Sequence, residues 1–473
     1  MAAPHAPHSS TGNRFSLDRS TAGRLRRFIR NSAVGGVVAV VMLSSCSTAD
    51  DETLAAASGG LGSDGQITAS QASVDTDTDT DTGSGALFDS SIVHTIEIDF
   101  DQDEYVEMID TFVNTGEKDW IAATVVVDGV SYENAGVRLK GNSSLFELTQ
   151  ETAENPEDLP WLIRLDKYVD DQNHQGYNDI VIRSTSTETA LNEAVALELL
   201  DATGLAAEQA IATTFTVNGG ETELRLAIEH PDDGWEEANF DSADGLLYKA
   251  DSEGDYSYRG DDPEAYEDVF DQKAGEDDLE PLTEFLDFIN NVDDQTFVAE
   301  LHSHLDVDAF ATYLAFQDLI GNADDINGRG NNSYLHYAPE TELFTVVSWD
   351  LNLAFDTANV GGGGGGGNGG RPDGGDRPAR PDGAAGPAAG IGGGGPGDQS
   401  NVLVDRFMAD DDFAALYASK TAELTDLLYS SGLVDQVIET WTDVLGAGAS
   451  DLVTDEIITA EAAAITAYVD GAR

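Results

Sequence analysis

The chain has 473 residues, of which 89 are Asp or Glu and only 23 are Lys or Arg, giving a formal charge of −66 at neutral pH. A surface of that sign repels phosphate backbones and anionic headgroups, which excludes nucleic acid as a partner and leaves any membrane attachment to something other than charge. The 40% hydrophobic content is enough to build a core, so the acidity reads as a solvated surface suited to salty surroundings rather than as global disorder.

Residues 1 to 46 read as an export address. Arg24, Arg26, Arg27 and Arg30 form a basic start, and Ala33 to Leu43 is an apolar stretch too short to span ~30 Å of hydrocarbon. Leu43, Ser44, Ser45 and Cys46 follow as the leucine, two small residues and cysteine of a lipobox. The expectation is a cleaved signal peptide, with lipid on Cys46 holding the chain at the extracytoplasmic face of the cell membrane. Cys46 is the only cysteine, so neither an intramolecular disulfide nor a cysteine-based zinc site can form. Residues 47 to 90 are rich in Ser, Thr, Asp and Gly and include the alternating run Asp75 to Thr82. Such a composition cannot bury enough apolar area to offset the entropy of ordering, and it reads as a disordered tether.

Patterned sequence begins at residue 91. His94, Ile96 and Ile98 share one parity, Ala122 to Asp128 is a second strand candidate, and Asp128-Gly129 marks a hairpin turn. Gly136 to Lys140, Trp161 to Asp166 and Asp179 to Arg183 read as further strands. Thr189 to Ala202 has near-helical apolar spacing, and Thr213 to Val217 with Glu223 to Glu229 forms a hairpin about Asn218-Gly219-Gly220. Helices are expected over Pro281 to Asn290, Asp294 to His302 and Asp308 to Ile320, then short strands at Ser333 to Tyr337 and Leu343 to Ser348. Residues 359 to 399 form a Gly/Pro/Ala/Asp insert with no means of packing, expected to be a disordered loop. Helical patterning resumes over Val402 to Tyr429, Val434 to Leu445 and Ser450 to Val469. The plan is α+β, one domain over 91 to 473, with strands concentrated in the first half and helices in the second.

Acidic residues are too common to stand out by abundance, so spacing selects four clusters. Val137 to Ser144 runs from a strand into a small-residue turn whose N–H groups could cradle an anion beside Lys140; a plain hairpin turn is the other reading. Lys167, after an apolar strand, is a candidate phosphate ligand held by Glu193 of the following helix, or one half of a surface ion pair. The loop Gly321 to Asn332 carries Asp324 and Asp325, then Asn331 and Asn332. A carboxylate followed by an amide on one loop suits proton acceptance and Mg²⁺ binding, whereas an EF-hand fails for want of a Glu at the twelfth position. Asp350 ends the apolar strand Val346 to Trp349, placed for a hard cation or for solvent.

In that order, Val137 to Ser144, Leu191 to Gly204, Val217 to Glu229, Gly245 to Lys249, Asn322 to Asp324 with Asn331 and Asn332, and Trp349-Asp350 resemble the signature segments of the CotH family of atypical protein kinases. The resemblance implies a two-lobed, protein-kinase-like fold, with a sheet-rich N-lobe and a mostly helical C-lobe. It implies transfer of phosphate from ATP, with Mg²⁺, to hydroxyls of a protein substrate at the cell surface. Carried over, Asp324 or Asp325 is the base, Asn331 or Asn332 and Asp350 hold metal, Lys167 and Lys140 contact phosphates, Glu193 partners the lysine, and Glu229 lies near the adenine. The rival reading is a non-catalytic acidic surface lipoprotein, a degenerate kinase fold used for adhesion or cation binding.

Overall fold

The structure, a computed structural model, describes residues 86–355 and 401–473 except 142, 146, 147, 150, 185, 186, 243, 252, 253, 323 and 328–331. The expected signal peptide, most of the tether, the Gly-rich insert, Cys46 and Asn331 lie outside the described residues. The folded unit begins earlier than the alternation alone suggests, because Leu87 and Phe88 are already buried.

Seven strands close into a barrel: β1 (His94–Phe100), β2 (Ile121–Val127), β3 (Val130–Leu139), β4 (Trp161–Arg164), β5 (Asp179–Ile182), β6 (Ala210–Val217) and β7 (Thr222–Ile228), in the order β1-β2-β3-β4-β5-β7-β6. Parity decides what fills it. Ile96, Val125, Val137, Trp161, Ile182 and Phe215 point inward and form one core. Closure comes from β1 running parallel to β6, Ile96 opposite Phe215, a pairing between segments too distant in sequence for local pattern to reveal. The two expected hairpins form on left-handed turn residues, Asp128 (φ 49°) with Gly129 (φ 81°) and Asn218 (φ 49°) with Gly219 (φ 63°), the conformation that matches strand twist.

Helix α1 (Gln102–Thr115) packs Tyr105, Met108 and Ile109 into the barrel core. The sequence reading passes over it, although these residues stand at helical spacing. Helix α2 (Leu191–Ala202) is buried almost all round, because Leu162 and Val181 on the barrel's outer face cover one side and the C-terminal helices cover another.

After α3 (Asp233–Asn239) a second sheet of order β11-β10-β8-β9 forms from β8 (Leu246–Ala250), β9 (Phe270–Ala274), β10 (Ser333–Ala338) and β11 (Leu343–Ser348). One face, with Leu246, Tyr248 and Val346, packs on α4 (Glu280–Asn291), α5 (Asp294–Glu300) and α6 (Val307–Ile320). The other, with Leu247, Tyr334 and Val347, joins the core around α2. Strands β8 and β9 are not expected from alternation: β8 is a short apolar run and β9 is half polar.

The C-terminal helices are α7 (Val402–Ala409), α8 (Asp411–Leu424), α9 (Leu433–Gly448) and α10 (Asp455–Ala472). The single helix expected over 402–429 breaks at Asp410, which is extended and caps α8 by accepting from the N–H groups of Asp412 and Phe413. Helix α10 also fastens the segment that leads into α2. Glu461 accepts from the backbone N–H of Glu188 (2.8 Å) and Thr189 (3.3 Å) and from the Thr189 hydroxyl. Replacing Glu461 by Ala leaves these donors, two of them on the buried Thr189, without their acceptor and is expected to cost about 2 kcal/mol. Thermal denaturation checks this: the melting temperature should fall by several degrees, and less for Glu461→Gln.

Candidate active site

The chain leaves β5 at Ile182, and the next side chain, Arg183, meets two carboxylates. Its Nε donates to both oxygens of Glu193 on α2 at 2.9 and 3.1 Å, and its Nη2 pairs with Glu193 at 2.8 Å and with Asp350 Oδ1. Burial works against the guanidinium's charge, but Asp350 and Glu193 outweigh it and hold Arg183 firmly protonated. Asp350 follows β11 in a left-handed conformation, φ 61°, which Asp tolerates better than most residues. Helix α2 grips the same segment again, Asn192 Nδ2 donating to the Asn352 carbonyl at 2.6 Å.

Cations gather around Trp349. Lys140 Nζ lies 5.2 Å and Arg183 Cζ 5.7 Å from its ring centroid. Desolvation pulls Lys140 down to about 7, with Lys273, Arg138, Arg183 and Lys249 pushing the same way. Lys249, on β8, is lowered to about 8 by desolvation, opposed by Asp350 and Asp251. Its Nζ lies 5.5 Å from the Tyr334 ring and donates to the Ala250 carbonyl at 3.0 Å. Mutually repelling ammonium groups, sheltered in a protein with a large excess of acid, form a place suited to an incoming anion.

The loop after α6 brings the third component. Gly321 ends the helix with φ 64°, and Asn322 donates to Gln317 Oε1 at 2.9 Å while Gln317 donates to Ser348 Oγ at 3.0 Å. That chain of bonds ties the loop to the end of β11. Asp324 remains exposed. Its carboxyl is raised by partial desolvation and by Asp350, and restrained by a hydrogen bond from Asn332 and by Lys249. Asp325 is buried, accepts from the Asn327 N–H at 2.9 Å and Nδ2 at 2.8 Å, and is raised to about 6 by burial. Its charged neighbour is Asp318, on α6, so it turns toward the helix rather than toward Asp350.

Of the residues singled out from sequence, the structure thus groups Lys140, Asp324, Asn332 and Asp350, with Glu193 joined through Arg183. Lys167 stands apart. It lies beyond the end of β4, exposed, with its Nζ 5.0 Å from the Trp120 ring, so Glu193 takes Arg183 as its cation instead. Both cations follow an apolar strand; Arg183 continues β5 directly, whereas Lys167 sits three residues past Arg164 in a turn, where the chain has already left the strand. The Glu229 carboxylate accepts from Gln209 N and Nε2, both at 2.8 Å, a local tie between the ends of β6 and β7. Arg183, Lys249 and Lys273 were missed as site residues.

Asp324 senses the Asp350 carboxylate and is hydrogen-bonded by Asn332, and carboxylate and amide oxygens are the donor chemistry that a hard divalent cation such as Mg²⁺ takes. A second group, Asp179, His230 and Asp232, also brings ligand atoms within 4.8 Å of one another. There, however, Arg164 holds both Asp179 oxygens at 2.7 and 2.5 Å and His230 Nδ1 lies 2.9 Å from one of them, so the carboxylate's charge is already balanced.

The profile of the CotH kinase protein family matches residues 137–456, more than half of the chain, and the chain belongs to that family. A solved structure, the Helicobacter pylori proinflammatory kinase CtkA, is similar with 9% identity over 67% of this chain and 93% of that chain, at a TM-score of 0.29; so low a score carries no argument. None of the curated proteins matches the chain. The family match leaves out β1, α1, β2 and most of β3, and it ends in the first turn of α10.

The low ammonium groups give a test by pH. At pH 8 Lys140, near 7, is mostly neutral and Lys249, near 8, is half protonated, and a bound polyphosphate favours the charged forms. Binding of ATP at pH 8 is therefore expected to take up about one proton, fading by pH 6 where both groups are already charged. Calorimetry in two buffers of different ionisation enthalpy reads the uptake; none at pH 8 would place these lysines away from the phosphates.

Proposed function

We propose that this chain is an exported, lipid-anchored protein kinase of two lobes, which transfers the γ-phosphate of ATP to Ser or Thr hydroxyls of surface or secreted proteins. One observation carries the reading. Asp324, Asp350 and Asn332 share a neighbourhood with Lys140, Lys249 and Arg183, in a chain with 89 acidic and 23 basic residues. The family membership supports it.

In the proposed reaction the acceptor oxygen bonds to the γ-phosphorus, the bridging P–O bond to ADP breaks, and Asp324 takes the hydroxyl proton. Exposure gives Asp324 access to an acceptor, and its raised carboxyl improves its match to that proton. Lys140 and Lys249 bind phosphate oxygens. Asp350 and Asn332 would hold Mg²⁺, which supplies neutralising charge to the triphosphate. Arg183, braced by Glu193, orients Asp350.

Transfer of labelled γ-phosphate by the full chain tests this. Asp324→Asn and Asp350→Asn should each lower labelling by about 10²-fold or more, whereas Asp325→Asn should keep it wherever the variant stays folded. Labelling equal to the unaltered protein would remove Asp324 and Asp350 from the chemistry. Absence of labelling in the unaltered protein, with no stabilisation by Mg²⁺ and ATP, would leave the non-catalytic reading.

The anchor rests on the basic start, apolar stretch and lipobox before Cys46. Among the described residues no helix is long and apolar enough to cross a membrane. Cys46→Ser should move the chain from the membrane to the soluble fraction of expressing cells; unchanged fractionation would count against a lipid at that residue.

A further inference from the structure

Beside the candidate site, on the same outer face of the barrel, a second set of cations gathers on one indole. Trp120, at the entry to β2, has Arg138 Cζ at 4.9 Å, Lys167 Nζ at 5.0 Å and Arg164 Cζ at 5.7 Å from its ring centroid. Arg164 is taken by Asp179. Lys118, Arg138 and Lys167 enter no ion pair among the described residues, and the buried Nε of Arg138 has no hydrogen-bond partner there.

Desolvation lowers both Lys118 and Arg138, and cationic neighbours add to it: Arg138 for Lys118, Arg164 for Arg138. Asp251 opposes the shift at Lys118, and Asp179 and Asp271 oppose it at Arg138, but among the described residues none of these carboxylates comes close enough to pair with either cation. Two exposed side chains with apolar surface follow Lys167 directly in the chain. Tyr168 and Val169 are 49% and 38% exposed, and the Tyr168 hydroxyl donates to the Trp120 carbonyl at 3.3 Å.

We propose that the patch of Lys118, Arg138 and Lys167 around Trp120 docks the anionic flank of the acceptor polypeptide, its carboxylates or phosphates, beside the hydroxyl to be phosphorylated. The proposal rests on the kinase reading. The triphosphate has its own cations in Lys140, Arg183 and Lys249 near Trp349 and Asp350; Lys118 adjoins them through Asp251 and Lys273, but neither it nor Lys167 figures among the charges acting on Asp324. A long polyanion would extend past the patch over a chain with 89 acidic and 23 basic residues and be repelled. A short anionic segment of polypeptide ends within the patch, and Tyr168 and Val169 offer contact to its apolar side chains.

The test uses the full chain and three fluorescein-labelled serine peptides, flanked by Asp and Glu, by phosphoserine, or by Lys and Arg. Anisotropy without nucleotide reads docking, and γ-phosphate transfer reads KM for peptide and for ATP. Acidic or phosphoserine peptides should bind despite the protein's net charge of the same sign, and whichever binds tighter names carboxylate or phosphate as the recognised group. Lys118→Ala and Lys167→Ala should each weaken that binding and raise peptide KM about fivefold, leaving KM for ATP unchanged. Binding that both variants leave intact, or a preference for the basic peptide that survives salt, overturns the proposal, as does KM for ATP rising in parallel. Acidic peptide binding through these lysines without any transfer would keep the docking site and sink the kinase reading instead.

Discussion

The site is organised by the need to neutralise one buried guanidinium. Arg183 sits between Glu193 and Asp350, and leaving any one of such a set unpaired costs roughly 3–5 kcal/mol. That requirement holds together elements distant in sequence: the end of β5, helix α2 and the turn after β11. Helix α2 can serve as the fixed point because it has no freedom left. Its sides are buried against the barrel and the C-terminal helices, the residues leading into it are held by Glu461, and Asn192 binds the Asn352 carbonyl.

The acidity of the chain gives the remaining cations their meaning. At physiological ionic strength the field of surface carboxylates is screened within about 8 Å, so the distant negative charge does little to stabilise a sheltered ammonium. Lys140 and Lys249 feel desolvation first, and both are lowered, Lys249 against the pull of the nearby Asp350 and Asp251. Lys420, bonded to Asp308 at 2.7 Å, shows the opposite shift, raised by that carboxylate. A lowered ammonium group is one that a neighbouring anion would return to its charged form.

Local pattern showed most of the strands, because inward parity at Ile96, Val125 and Val137 is visible in a single segment. It could not show that β1 closes on β6, since no periodicity within either segment records a partner more than a hundred residues away. The same limit explains the lysine. A cation after an apolar strand stands at both Lys167 and Arg183, and only the tertiary position of α2 decides which of them meets Glu193. Asp324 and Asp350 were legible by their spacing from Asn332 and from an apolar strand. Lys249 was not, because β8 lacks alternation and β9, with Asp271, Gln272 and Lys273, is a polar edge recognisable only by its pairing.

Adjacent carboxylates on one loop are separated by environment rather than by identity. Asp325 spends its oxygens on Asn327 and sits buried against α6, which makes it a fastener of the loop. Asp324 is exposed and senses Asp350, Asn332 and Lys249, so its protonation responds to whatever occupies the site. Asp350 shows the complementary arrangement. A left-handed backbone is held where two partners enforce it, Arg183 on the carboxylate and Asn192 on the following carbonyl, and local strain maintained in this way is characteristic of positions whose orientation matters. With Oδ1 committed to Arg183, the carboxylate is held in one orientation by a charge that is itself fixed by Glu193.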